Sequence, residues 1–98
     1  MKKFNIEFIQ SELRNMPGWA YNNGYLEKNF IFLNFKDAMI AMVRIGFEAE
    51  KMDHHPDWSN SYNKLNIRLR THSVDGITEN DFSLARKIDE LVSFMNKH

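Results

Sequence analysis

The chain has 98 residues, enough for one domain of the usual size of about 100–150 residues and too few for two. Its 13 Lys+Arg balance 13 Asp+Glu, and the net charge of +0 with no basic block argues against direct nucleic-acid binding through phosphate contacts. The absence of cysteine excludes disulfides, a thiolate nucleophile and Cys-based zinc sites, so chemistry falls to His, carboxylates or hydroxyls.

A domain this small buries only about 60–70% of the surface of its unfolded chain, so self-association is expected to help stabilise it. The N-terminus turns polar at once, and no apolar run approaches the roughly 18 residues of a membrane span. A soluble, cytoplasmic protein without a membrane partner is expected. No repeat, low-complexity tract or linker divides the chain, so residues 1–98 read as one domain.

In chain order, Ile6, Ile9, Leu13 and Met16 recur at helical spacing and predict a short amphipathic helix over 5–16, ended by Pro17-Gly18. Two aromatic-rich stretches follow, Trp19-Ala20-Tyr21 and Phe30-Ile31-Phe32-Leu33. They predict strands of a hairpin, broken at Asn22-Asn23-Gly24 and again at Glu27-Lys28-Asn29. Trp19 is expected to pack.

Asn34 with Asp37 three residues on marks a helix start. Phe35, Ala38, Met39, Met42, Val43 and Gly46 carry the helix on to about Met52. Pro56 stops any continuation, because it lacks a backbone donor and restricts His55.

Residues 62–71 alternate, with Leu65, Ile67 and Leu69 on one face and Lys64, Asn66, Arg68 and Arg70 on the other, as a half-buried strand does. Asp75-Gly76 makes a turn, and Thr78 with Asp81 forms a second capping pair. A final helix then carries Phe82, Ala85, Ile88, Val92 and Met95 as its apolar stripe. Helices on one face of an antiparallel sheet, an α+β fold, follow from this order.

The segment Glu50-Lys51-Met52-Asp53-His54-His55-Pro56-Asp57-Trp58 concentrates two imidazoles, three carboxylates and an indole. Imidazole gives and takes protons near neutral pH, so paired histidines suit proton transfer, although a helix C-terminus also favours solvated histidine. His72 ends the next strand, where the chain returns to the sheet. Glu50 lies four residues before His54, on the same helix face, and either orients an imidazole or is an ordinary surface group. Asp81 reads first as a cap with room for a second role, and Trp58 and Tyr62 either wall a pocket for a flat heterocycle or pack in the core.

The ordered set Glu50-x3-His54-His55-Pro56-x5-Tyr62-x9-His72-x8-Asp81 resembles the signature of the pterin-4a-carbinolamine dehydratases. Further segments are similar in the same order, among them Phe30-x-Phe32-x-Asn34-Phe35-x-x-Ala38, Tyr62-Asn63-Lys64, Thr71-His72 and Gly76-Ile77-Thr78. The likeness runs from about Gly18 to Val92. Residues 1–16 match only as a generic helix, and Asn34 stands where the family more often has Asp, a difference that touches a cap.

This resemblance implies a four-stranded antiparallel sheet with about three helices on one face, assembled as a homodimer or homotetramer. It implies a hydro-lyase that converts a 4a-hydroxytetrahydropterin to quinonoid dihydropterin and water with no metal or organic cofactor. Such an enzyme supports pterin recycling beside an aromatic amino acid hydroxylase.

His54 and His72 would then be acid/base groups on two sides of the ring, with His55 mainly holding the pterin. Glu50, Asp53 and Asp81 would orient the imidazoles. Asp53, Pro56, Trp58, Arg70, Thr71 and Ser73 would contact the substrate. A metal site built from Glu50, His54, His55 and His72 is the rival chemistry, weakened because adjacent residues rarely aim both side chains at one ion. Animal members of the family also act as partners of a homeodomain transcription factor, which makes a binding module the rival of another class.

Overall fold

The computed structural model describes residues 1–96. In chain order they form α1 (Ile6–Leu13), β1 (Ala20–Asn22), β2 (Tyr25–Ile31), α2 (Phe35–Met52), β3 (Asp57–Ser61), β4 (Lys64–Leu69), a 3-10 turn (His72–Val74) and α3 (Glu79–Asn96). The four strands make one antiparallel sheet in the order β1-β2-β4-β3. The expected α+β architecture with a four-stranded antiparallel sheet is present, and the strand that the residue pattern did not mark is β3.

Asn23 and Gly24 both adopt positive φ, 52° and 86°, which suits the right-handed twist of a tight hairpin between β1 and β2. The second break expected at Glu27-Lys28-Asn29 does not occur, and β2 runs straight through it. Glu27 and Asn29 lie on the outer face, where Asn66 donates to both. Lys28 is inward in phase, and its ammonium reaches Asp89 on α3 at 2.8 Å while lying over the rings of Trp19 and Phe30. Its stem covers apolar surface and its charge finds a partner, so a lysine fits a strand position that looked like a break. Trp19 packs as expected, and its indole donates to the other oxygen of Asp89 at 2.9 Å.

The half-buried strand expected over 62–71 is the second arm of a hairpin whose first arm is β3. Leu65, Ile67 and Leu69 are buried as the alternation requires. Tyr62, φ 53°, turns the corner, and Asn63 ties the corner to the residue after β2: its carbonyl accepts from the Phe32 N–H and its side-chain amide donates to the Phe32 carbonyl. A short polar strand such as Asp57-Trp58-Ser59-Asn60-Ser61 carries little apolar alternation, so pairing with β4 identifies it where composition does not.

The stripe of α2 is also displaced from its expected place. Ala38, Ala41, Ile45 and Ala49 are the buried positions, and Phe35, Met39 and Val43 are exposed. The small alanines allow a close approach to the sheet and α3, which bulkier side chains would prevent. The α3 stripe of Phe82, Ala85, Ile88 and Val92 is buried as predicted. α1 is shorter than expected, with Ile9 buried, Ile6 exposed, and Met16 reaching the core from beyond the helix end. No helix among the described residues is long and apolar enough to cross a membrane.

Candidate active site

The end of α2 sets the geometry of the histidine pair. The N–H of Asp53 donates to the carbonyls of Ala49 and Glu50, and the N–H of His54 donates back five residues to Ala49 at 3.0 Å. Asp53 sits at φ 51°, ψ 43° in the left-handed region, a conformation its short polar side chain tolerates. This helix stop turns the chain sharply, so that two adjacent imidazoles leave in different directions. His54 is buried, at 8% exposure, while the His55 side chain remains 58% exposed.

His54 Nε2 meets Asp81 Oδ1 at 2.7 Å. Asp81 is wholly buried and its other oxygen accepts from the Thr71 hydroxyl at 2.8 Å and the Thr78 backbone N–H at 2.9 Å. Thr78 Oγ in turn accepts from the N–H of Asn80, so Thr78 and Asp81 form the reciprocal cap predicted for α3. Since Thr71 gives its proton to Asp81, the Thr71–Thr78 hydroxyl contact at 2.8 Å runs from Thr78 to Thr71. One carboxylate thus closes the start of α3, holds Thr71 at the end of β4 and receives His54.

A carboxylate acceptor at Nε2 places the proton of neutral His54 on that nitrogen. Nδ1 then carries the lone pair. No buried side-chain nitrogen or oxygen lacks a partner among the described residues, and Nδ1 has no hydrogen bond, so it keeps access to solvent. A buried, oriented imidazole with one open basic nitrogen is equipped to take a proton from a bound substrate.

His55 Nε2 pairs with Glu50 Oε1 at 2.8 Å. The sequence spacing had offered Glu50 to His54. The left-handed turn at Asp53 instead carries His54 away from that helix face and brings His55 back over it. His72, 64% exposed in its side chain, lies 3.4 Å from Asp57 Oδ2. Each of the three histidines therefore has a carboxylate of its own, and Asp57 is the member that spacing alone did not single out. The missed signal was the β3–β4 register, which places Asp57 opposite Arg68, four residues before His72.

The remaining candidates divide. Pro56 and Trp58 are half-buried, and the Trp58 ring packs against the core beside Gly46 of α2. Arg70 is engaged by Asp75 and the face of Tyr25. Asp53 and Ser73 are exposed, and the Thr71 hydroxyl is taken up by Asp81. Tyr62 stands 65% exposed at the β3–β4 turn, at the opposite end of that hairpin from Asp57, so it does not join the histidines.

Two links tie residues 54–57 to residues 71–72: His54 to Thr71 through Asp81, and Asp57 to His72. Surface cavities lined by Phe32, Ile40 and Phe94 and by Lys28, Phe30 and Asp89 lie elsewhere, along α2 and α3. Among the described residues no three His, Asp or Glu side chains are disposed to hold a metal ion.

The chain is thus an α+β domain in which three histidines are each paired with a carboxylate. The family model described as pterin 4 alpha carbinolamine dehydratase matches residues 2–91, and the chain belongs to that family. A relative in Christiangramia forsetii, named a candidate pterin-4-alpha-carbinolamine dehydratase, is 47% identical over 96 residues, 98% of this chain and 99% of its own. One of the same name in Sulfurisphaera tokodaii is 42% identical over 93 residues, covering 95% of this chain and all of its own. The crystal structure of a Brucella melitensis protein described as a transcriptional coactivator/pterin dehydratase superposes with a TM-score of 0.89 at 34% identity, covering 92% of this chain and 98% of that one.

Proposed function

We propose that this protein is a hydro-lyase that dehydrates a 4a-hydroxytetrahydropterin to quinonoid dihydropterin and water by histidine acid/base catalysis. The observation that carries this reading is buried His54, held at Nε2 by Asp81 with Nδ1 open. In the reaction the C4a–O bond breaks and its electron pair leaves with the hydroxyl, which takes a proton and departs as water. A base removes a proton from a ring nitrogen, and that electron pair forms the new C=N bond. His54 and His72 serve these two transfers, and His55, steadied by Glu50, holds the pterin.

Asp53, Pro56, Trp58, Arg70, Thr71 and Ser73 are proposed to line the substrate's path, with Trp58 and Pro56 offering apolar surface to the ring. The chemistry asks for no metal or organic cofactor, because proton transfer alone completes it. The reaction would regenerate pterin for an aromatic amino acid hydroxylase or a similar pterin-dependent enzyme in the cytoplasm. The protein is proposed to self-associate as a homodimer or homotetramer.

The test is the dehydration rate of freshly generated 4a-carbinolamine, followed by ultraviolet absorbance against the uncatalysed background. His54→Ala and His72→Ala are each expected to lower kcat by roughly 10²-fold or more, and the double variant to fall to background. His55→Ala is expected to raise KM with kcat little altered. A double variant with native turnover would overturn the assignment.

A further inference from the structure

We propose that Asp57 and Tyr25 are positioning residues for His72, gripping its imidazole from the two strands that flank β4. The inference rests on the acid/base role proposed for His72 and extends it to residues that no motif marks.

The topology makes the argument. β4 lies between β2 and β3, and His72 follows β4 directly after Arg70 and Thr71. Asp57 is the first residue of β3 and Tyr25 the first of β2, so each starts its strand at the end of the sheet where β4 finishes. Asp57 approaches His72 Nε2 at 3.4 Å, and the Tyr25 ring meets the imidazole edge-on, with centroids 6.4 Å apart at 70°. A side chain on an exposed 3-10 turn thereby has a neighbour on either side.

Each neighbour has cationic residues beside it. Asp57 stands across from Arg68 in the β3–β4 register, a cross-strand pair of opposite charge. The guanidinium groups of Arg68 and Arg70 lie over the Tyr25 ring at 4.9 and 5.6 Å, and Asp75 holds Arg70. The groups facing His72 are thus Asp57 and Tyr25, with Arg68, Arg70 and Asp75 behind them. The 3.4 Å separation is an ion-pair distance, longer than the 2.7 and 2.8 Å of the other two histidine–carboxylate pairs. A small rotation of either exposed side chain closes it to a hydrogen bond, as catalytic contacts commonly do once substrate binds. A carboxylate at Nε2 selects the tautomer whose lone pair lies on Nδ1, and the edge-on tyrosine limits rotation of the ring.

The test is a double-mutant cycle on the dehydration rate. Asp57→Asn is expected to lower kcat about tenfold with KM nearly unchanged, Asp57→Glu to recover most of the loss, and Tyr25→Leu to lower kcat about threefold. In a His72→Ala background Asp57→Asn and Tyr25→Leu are each expected to change kcat less than about twofold, because the ring they position is gone. Nitrogen NMR of the His72 ring should show its tautomer populations altered by Asp57→Asn and restored by Asp57→Glu. Equal losses in both backgrounds, or an unaltered tautomer, would overturn the proposal while leaving His72 in its role. Native turnover by His72→Ala would instead overturn the role of His72 itself.

Discussion

Asp81 shows how much one side chain can join. It accepts from His54, Thr71 and the backbone of Thr78 while wholly buried, so its charge is met from three sides. Replacing it leaves those donors without their acceptor, and a buried donor left unmet costs roughly 1–3 kcal/mol. Asp81→Ala is therefore expected to cost about that much by chemical denaturation, a sizeable share of the roughly 5–15 kcal/mol that holds small domains folded. Asp81→Asn keeps one oxygen for Thr71 and Thr78 and should chiefly lower turnover, because its amide can donate to His54 Nε2 and invert the tautomer. The exposed Glu50–His55 pair is a contrast: Glu50→Gln should leave stability unchanged within about 0.5 kcal/mol, since exposed ion pairs contribute little.

Among the elements, the end of α2 and the centre of the sheet carry the clearest consequences. Asp53 holds a left-handed conformation that a β-branched residue adopts only under strain. Asp53→Val is expected to lose about 1–2 kcal/mol of stability, and Asp53→Gly to lose none through the backbone, with thermal melting as the measure. In the sheet, Glu27 accepts from Asn22 of β1 and Asn66 of β4, tying three strands together from β2. These two hydrogen bonds hold its carboxyl below its ordinary value of 4.5, with burial opposing them and the nearby Arg68 charge adding a smaller contribution. A lowered folded-state pKa means that the stabilisation is present above the unfolded value and is lost as pH falls through the folded one. Glu27→Gln should accordingly lower the melting temperature modestly at neutral pH, flatten the acid limb of the profile below about pH 4.5, and converge with the native protein at low pH.

At the scale of the whole molecule, the outer side of α2 is the feature that a single chain leaves open. Met39, Val43 and Phe47 recur every four residues and are 43%, 51% and 70% exposed, with Ile40 beside them. The core behind them is already closed by Ala38, Ala41, Ile45 and Ala49, so this second apolar row serves no packing within the described chain. It supports the proposed self-association, since contiguous exposed apolar surface marks contact sites. Val43→Glu with Phe47→Glu is expected to shift the protein to a smaller species by sedimentation while preserving its helical circular dichroism.

Local residue patterns specify the elements with strong periodicity or clear punctuation. The alternation of Leu65, Ile67 and Leu69, the stripe of α3 and the Asn34 and Thr78 caps all arise from interactions within a few residues, which local patterns encode. His54 and His55 were legible for the same reason, as part of a dense local run. Tertiary structure alone decided which carboxylate serves which histidine. Asp81 lies 27 residues from His54 and Asp57 lies 15 from His72, and both pairs exist only because β3 and β4 pair and α3 packs back beside the end of α2. The Glu50 spacing pointed to His54 because it assumed a helix that continued. One residue in the left-handed region ended that helix and moved Glu50 to His55, since a single backbone angle redirects every side chain after it.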